Sequence, residues 1–197
     1  MNNFCGCSSA IAPALAIDAT EGVTASDATI GGYAHESGRS VIIVVNKWDA
    51  VTTSRTDGKP PADREVFEQQ LRRVLKYLNY APVLFLSARE GKGLGRVMKE
   101  VRKVAEERRK RVSTGQMNRF LEKIDFQRAP VPMAKRMRIF YMTQAAVAPP
   151  TFILFTDRDV QLHFSFERFL ENQIRESFGF EGTPIWFKVR PRNAEKD

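Results

Sequence analysis

The sequence predicts an α/β unit built on a parallel sheet, followed by a smaller α+β unit, and three observations carry that prediction. From Ala14 to about Arg111, short apolar runs alternate strictly with segments of helical periodicity, an order that calls for parallel strands joined by helical crossovers. Val41 to Val45 is apolar at every position, as in a strand covered on both faces. Near Val112 the alternation stops, and the remaining elements follow in another order over a stretch close to the smallest size that holds its own core.

Ala14 to Ile17 reads as a short strand ending at Asp18. Thr24, three residues before Asp27, can open a helix that Gly38 stops, and Gly31 and Gly32 weaken it. After the strand Val41 to Val45 comes a polar loop from Val51 to Asp63. Phe67, Leu71, Val74, Leu75 and Leu78 then place an apolar stripe on a helix from about Arg64 to Asn79. Pro82 to Leu86 is a further strand. A long helix runs from about Leu94 to Arg111, with Leu94, Val97, Met98, Val101, Val104 and Ala105 on one face. In the second unit, Thr114 can cap a helix carrying Met117, Phe120, Leu121 and Ile124, and a Pro-rich connection spans Pro130 to Pro132. Arg138 to Thr143 and Thr151 to Thr156 read as strands separated by a loop holding Pro149 and Pro150. A helix from about Ser165 to Phe178 and a strand from Ile185 to Val189 close the chain. These readings divide it into a tail over 1–13, an α/β region over 14–112 and an α+β region over 113–197.

Composition narrows the function. With 197 residues the chain holds at most two compact units. Hydrophobic content of 43% and charged content of 27% exclude a disordered or membrane-embedded chain, and the apolar runs are far too short to span a bilayer. Met1 to Cys7 lacks the cationic start of a secretory leader, so the cytoplasm is expected and a membrane partner is not. Cys5 and Cys7 have no neighbouring histidine or cysteine to complete a metal site. A net charge of +8 and a pI near 9.7 favour phosphate-rich partners.

The informative segment is Asn46-Lys47-Trp48-Asp49, directly after a buried strand, where an open α/β sheet places its ligand. A carboxylate at Asp49 can accept from both the ring N–H and the exocyclic amine of guanine, a donor pair that adenine lacks. Asn46 can bond the purine edge and tie loops together, and the Lys47 stem can lie over a flat base. Ser87-Ala88 follows the strand Pro82 to Leu86, where the Ala88 N–H can donate to the guanine carbonyl. Each motif alone is weak, but both follow buried strands in the right order, which is the context that tests them. No G-x-x-x-x-G-K-[ST] occurs in the chain, so no loop is expected to cradle phosphates or supply a hydroxyl to magnesium. Asp18-Ala19-Thr20-Glu21-Gly22 mimics a DxxG motif, but Glu21 stands where the glycine belongs.

Several segments together resemble the bacterial ribosome-assembly GTPases of the Der (EngA) family. They are Ile17-Asp18-Ala19-Thr20-Glu21-Gly22, Val44-Val45-Asn46-Lys47-Trp48-Asp49 and Leu86-Ser87-Ala88, then Pro149-Pro150-Thr151-Phe152, His163-Phe164-Ser165 and Phe178 to Ile185. The resemblance runs from Ala16 to the C-terminus and implies the back half of a P-loop GTPase-type domain, a truncated parallel sheet with helices, followed by a KH-like domain. It implies GTP or GDP as ligand, magnesium as the family's metal, and a role in large-subunit ribosome assembly through rRNA, with no DNA partner. The magnesium ligands and phosphate loop are absent from the sequence, so hydrolysis by this chain alone is not expected. The other reading is a non-catalytic RNA- or ribosome-binding module whose guanine loops are relics.

Candidate RNA contacts are Arg108, Arg109, Lys110 and Arg111; Lys135, Arg136 and Arg138; and Lys188, Arg190 and Arg192. Gly179-Phe180-Glu181-Gly182 has the GxxG spacing of a nucleic-acid clamp, but it lies between a helix and a strand, and Glu181 repels phosphate. A helix cap and turn is the expected structure there. His163 is expected to be structural, His35 an exposed helix residue, and Trp48 and Trp186 ordinary apolar residues.

Overall fold

The computed structural model describes residues 12–53, 58–126 and 137–192. The Pro-rich connection, Lys135, Arg136 and the two cysteines lie outside these. The chain forms two compact units, one ending at Glu106 and the next beginning at Glu107.

In the first unit, β1 (Ala14–Asp18), β2 (Ile42–Asn46) and β3 (Val83–Phe85) form an all-parallel sheet in that order. Successive side chains of β2 point to opposite faces. Ile43 and Val45 join Leu15, Ile17, Leu71 and Leu78 in one core, and Ile42 and Val44 join Leu86 and Val104 in the other. Burial on both faces is the physical reason for the unbroken apolar run. The crossover helix α1 (Ala25–Glu36) starts at Thr24, whose hydroxyl accepts from the Asp27 N–H while the Asp27 carboxylate accepts from the Thr24 N–H. Gly38 follows the helix with φ +66. A short helix α2 (Trp48–Val51) leads to α3 (Arg64–Val74), which Asp63 caps by accepting from Glu65 and Val66.

Two helices depart from expectation. α3 ends at Val74 rather than near Asn79, and a 3-10 turn over Lys76–Leu78 replaces its last turn. Arg72 donates to the carbonyls of Leu78 and Asn79 and so holds the chain in this tighter course. Leu75 and Leu78 are buried all the same, whereas Val74 is exposed. On α4 (Leu94–Arg109) only Val104 is fully buried, Val97 and Val101 pack partly, and Leu94 and Met98 face solvent. His35 is half-buried between Tyr77 and Tyr80, with Nδ1 3.1 Å from the Tyr80 hydroxyl, instead of exposed.

The second unit contains α5 (Thr114–Lys123), β4 (Ile139–Val147), β5 (Pro150–Thr156), α6 (Phe164–Phe178) and β6 (Trp186–Pro191). β4 and β5 pair antiparallel, β5 and β6 parallel, in the order β4-β5-β6. Ser113, not Thr114, caps α5 through a reciprocal pair with Gln116. Pro150 opens β5, so only Ala148 and Pro149 separate the two strands. One sheet face sends Met142, Phe152 and Leu154 into a core with Met117, Leu170 and Ile174. Buried Gln144 accepts from the Val112 N–H and donates to the Lys110 carbonyl, satisfying both ends of its amide.

Candidate functional site

The parallel register sets the site. Asp18 pairs with Asn46 and Val45 with Phe85, so the chain leaves all three strands at one edge of the sheet, the edge where such folds bind ligands. The Ala19 N–H donates to the Asn46 carbonyl and the Trp48 N–H to the Leu86 carbonyl, which ties the three exit loops together. Lys47 takes a left-handed conformation with φ 58. That turn lets Trp48 enter the core, edge-on to Phe67 and Phe85, and starts α2 with Asp49 in its first turn.

Asp49 is 9% exposed, and its Oδ1 atom is buried without a hydrogen-bond partner among the described residues. A buried acceptor left unpaired costs about 1–3 kcal/mol. The atom lies in the first turn of the short helix α2 at the sheet edge, where a donor from outside the chain could satisfy it. Asp49 and Ser87 both line a cavity of about 210 Å³ together with Trp48, Thr52, Glu90 and Lys92. Ser87 is buried, and its hydroxyl accepts from the Glu90 N–H.

Asn46 Oδ1 accepts from the Ala88 N–H at 3.0 Å, so the two predicted motifs meet directly. The Ala88 N–H, expected to face a base carbonyl, here holds the Asn46 amide, leaving the Asn46 Nδ2 hydrogens as the donors that can reach a purine edge. Lys47 Nζ lies 2.6 Å from Asp18 Oδ2, and the Thr20 N–H and hydroxyl both donate to Asp18 Oδ1. Burial works against the Asp18 carboxylate, but the bonds from Lys47 and Thr20 outweigh it and hold its pKa below the usual range. The bond to Asp18 in turn raises the Lys47 pKa. This pair was not foreseen from sequence, although a carboxylate and an ammonium at the ends of adjacent parallel strands are a readable signal. Lys92, beside Glu90 and within reach of the Asp49 charge, also has a raised pKa.

The chemistry present suits a guanine base, since Asp49 offers the base's paired N–H donors an acceptor that has no partner among the described residues. Magnesium beside a nucleotide is held mostly by the phosphates and water, and the sequence has no phosphate-loop motif to place it, so no chemical step here is routed through a metal.

The basic candidates fall in the second unit. Arg138 and Arg192, distant in sequence, lie over the same Phe140 ring at 5.2 and 5.1 Å. Lys188 and Arg190 are exposed on one face of β6. Arg109, Lys110 and Arg111 are exposed at the end of α4 and just beyond, and Lys110 is paired with Glu107. Gly179 ends α6 with φ 88, as the cap reading expects. The Phe180 N–H donates to Glu107 Oε2, so this loop's amide is already engaged. His163 caps α6 by accepting from the Ser165 N–H. Trp48 is buried, and Trp186 is 38% exposed.

Residues 111–190 match a family model described as the KH-domain-like of EngA bacterial GTPase enzymes, C-terminal. Over 92% of its length the chain is 45% identical to a GTPase Der of Syntrophotalea carbinolica, and over 91% it is 45% identical to a GTPase Der of Alkaliphilus oremlandii. A GTPase Der of a Geobacillus species is 44% identical over 90% of the chain. The chain spans 40% of the length of each of these relatives. No helix among the described residues is long and apolar enough to cross a membrane.

Proposed function

Because this chain is of the Der (EngA) GTPase family and matches only part of its relatives' length, we infer that it supplies the base-reading part of a guanine-nucleotide site together with a KH-like domain that contacts rRNA. One observation carries the first half: the Asp49 carboxylate, which lines a cavity with Ser87, has a buried oxygen without a partner among the described residues. Asp49 would accept from the ring N–H and exocyclic amine of guanine. Asn46, fixed by Ala88, would donate to the purine edge, and the Lys47 stem would lie over the ring while its ammonium stays on Asp18. Ser87 keeps the second loop close. Magnesium and phosphate contacts would come from a phosphate loop, which these 197 residues do not contain, so GTP hydrolysis is not proposed for this chain by itself. We place the activity in large-subunit ribosome assembly in the cytoplasm, supported by the excess of cations in the second unit.

Base reading without phosphate anchoring gives weak affinity. The test is amide and side-chain NMR of the chain titrated with millimolar GMP or AMP. GMP should move the signals of Asn46, Asp49 and Ala88 and AMP should not. Equal shifts with both, or none at Asp49, reject the assignment. In a longer chain joined to a phosphate-loop half, Asp49→Ala should abolish discrimination between GTP and ATP. Co-sedimentation with ribosomes, with and without GTP, separates this reading from a pure RNA-binding module. Calorimetry that gave micromolar GDP affinity for the present chain would contradict the dependence on phosphate contacts.

A further inference from the structure

Resting on the reading that the second unit contacts RNA, we propose that the outer face of its sheet, and not its GxxG loop, is a stacking platform for single-stranded RNA. The loop is unsuited to gripping phosphate. Its Phe180 amide is spent on Glu107, Phe180 is buried, and Gly179 closes α6 with Glu107 against it.

The outer face follows from register. Phe152 and Leu154 of β5 point into the core, so Thr151, Ile153 and Phe155 point the other way, where Thr151 and Ile153 are buried among their cross-strand neighbours and Phe155 and Tyr141 are half-exposed. Across the strands Phe155 pairs with Tyr141 on one side and Arg190 on the other, Ile153 pairs with Lys188, and Thr151 pairs with Trp186. Tyr141 and Phe155 stack with centroids 4.2 Å apart and planes 14° from parallel. Beside this pair, β6 exposes Trp186, Lys188 and Arg190 at alternate positions. Arg192 and Arg138 add two guanidinium groups at the corner, over Phe140. None of the ion pairs formed among the described residues uses Lys188, Arg190 or Arg192.

Flat rings and unneutralised cations side by side match one ligand chemistry, a polyanion whose own rings are free to stack. A duplex hides its bases and would use the cations but not the rings. An acidic peptide would likewise leave the rings unused. Short single-stranded RNA uses both, without sequence preference, through stacking and phosphate contacts.

The experiment titrates fluorescently labelled short oligouridine with the intact chain at low salt and follows the anisotropy of the label, which serves every variant, with tryptophan fluorescence as a second readout of the unaltered chain. Trp48 is buried and Trp186 exposed, so quenching reports the platform. Trp186→Ala should weaken binding about tenfold and Trp186→Phe should restore most of it, with unchanged thermal melts. Phe155→Leu, which keeps the apolar bulk, should show a similar loss and serves if Trp186→Ala does not fold. Duplex RNA of equal length and polyglutamate should compete poorly. Binding by Trp186→Ala and Phe155→Leu as tight as by the unaltered chain overturns the platform alone, and leaves RNA contact by the second unit standing. Equal competition by duplex or by polyglutamate overturns it in favour of a phosphate-only or a protein partner. An unaltered chain that binds no RNA removes the platform and the rRNA part of the proposed function together.

Discussion

A single oxygen atom separates stability from function in the first unit. Asp49 Oδ1 is buried and has no partner among the described residues, so Asp49→Ala removes a desolvated acceptor and should leave the ligand-free chain as stable or up to about 1 kcal/mol more stable, even as it removes any preference for guanine. Chemical denaturation of both chains checks this, and a loss of more than about 1 kcal/mol would mean the carboxylate has a structural partner. The neighbouring Asp18–Lys47 pair behaves in the opposite way. Asp18 titrates below its unfolded value of about 3.9, so its contribution is complete above that value and is lost as pH falls through the lower folded one. With Lys47 more than half exposed, the contribution is small. Carboxyl NMR should find Asp18 titrating low, and Lys47→Met should move it upward; an unmoved midpoint would contradict the bond. The residue types at Asn46, Lys47 and Asp49 were legible in sequence because their chemistry is carried by identity and by position after a strand. The Asn46–Ala88 bond was only half legible, since the sequence shows that both groups reach the edge but not which of them the amide chooses.

Elements were legible where a reciprocal cap or an unbroken apolar run marked them. α1 begins at Thr24 because the Thr24–Asp27 spacing satisfies two amides at once, and β2 is continuous because both its faces are covered. Their ends were less legible. α3 stops early because Arg72 reaches carbonyls six and seven residues ahead, a bond invisible to an apolar stripe that continues through Leu75 and Leu78. At α5, Ser113 and Thr114 are both capping residues, and Gln116 decides between them: it lies three positions after Ser113. Ser113→Ala should therefore cost about 0.5–2 kcal/mol and Thr114→Ala much less, as measured by urea unfolding. Equal losses would mean that the reciprocal pair contributes nothing. Apolar residues on α4 show the other limit, for spacing alone does not tell which of Leu94, Val97 and Met98 finds a partner, and here only Val97 does.

At the scale of the whole molecule, charge divides unevenly between the units. Residues 107–197 hold 17 Lys and Arg against 11 Asp and Glu, while residues 1–106 hold 14 against 12, so six of the eight net positive charges sit in the second unit. The overall pI revealed a cationic chain but not this division, and the succession of two fold classes was readable while the opposed aromatic and cationic residues of the second sheet needed its register. An RNA-binding unit that works by releasing counterions has affinity that falls with salt, with a logarithmic slope of roughly −0.7 per phosphate engaged on a single strand. If the second unit makes those contacts, replacing Lys188 and Arg190 together by alanine should flatten the slope by about 1.4, twice that per-phosphate value. Replacing Arg73 and Lys76, exposed cations of the first unit, should leave it unchanged. Each pair removes the same net charge, so a general electrostatic attraction would flatten both slopes equally, whereas a defined surface flattens only the first. Guanine nucleotide should alter neither slope in this chain, because base reading through Asp49 uses no charge that the RNA surface shares.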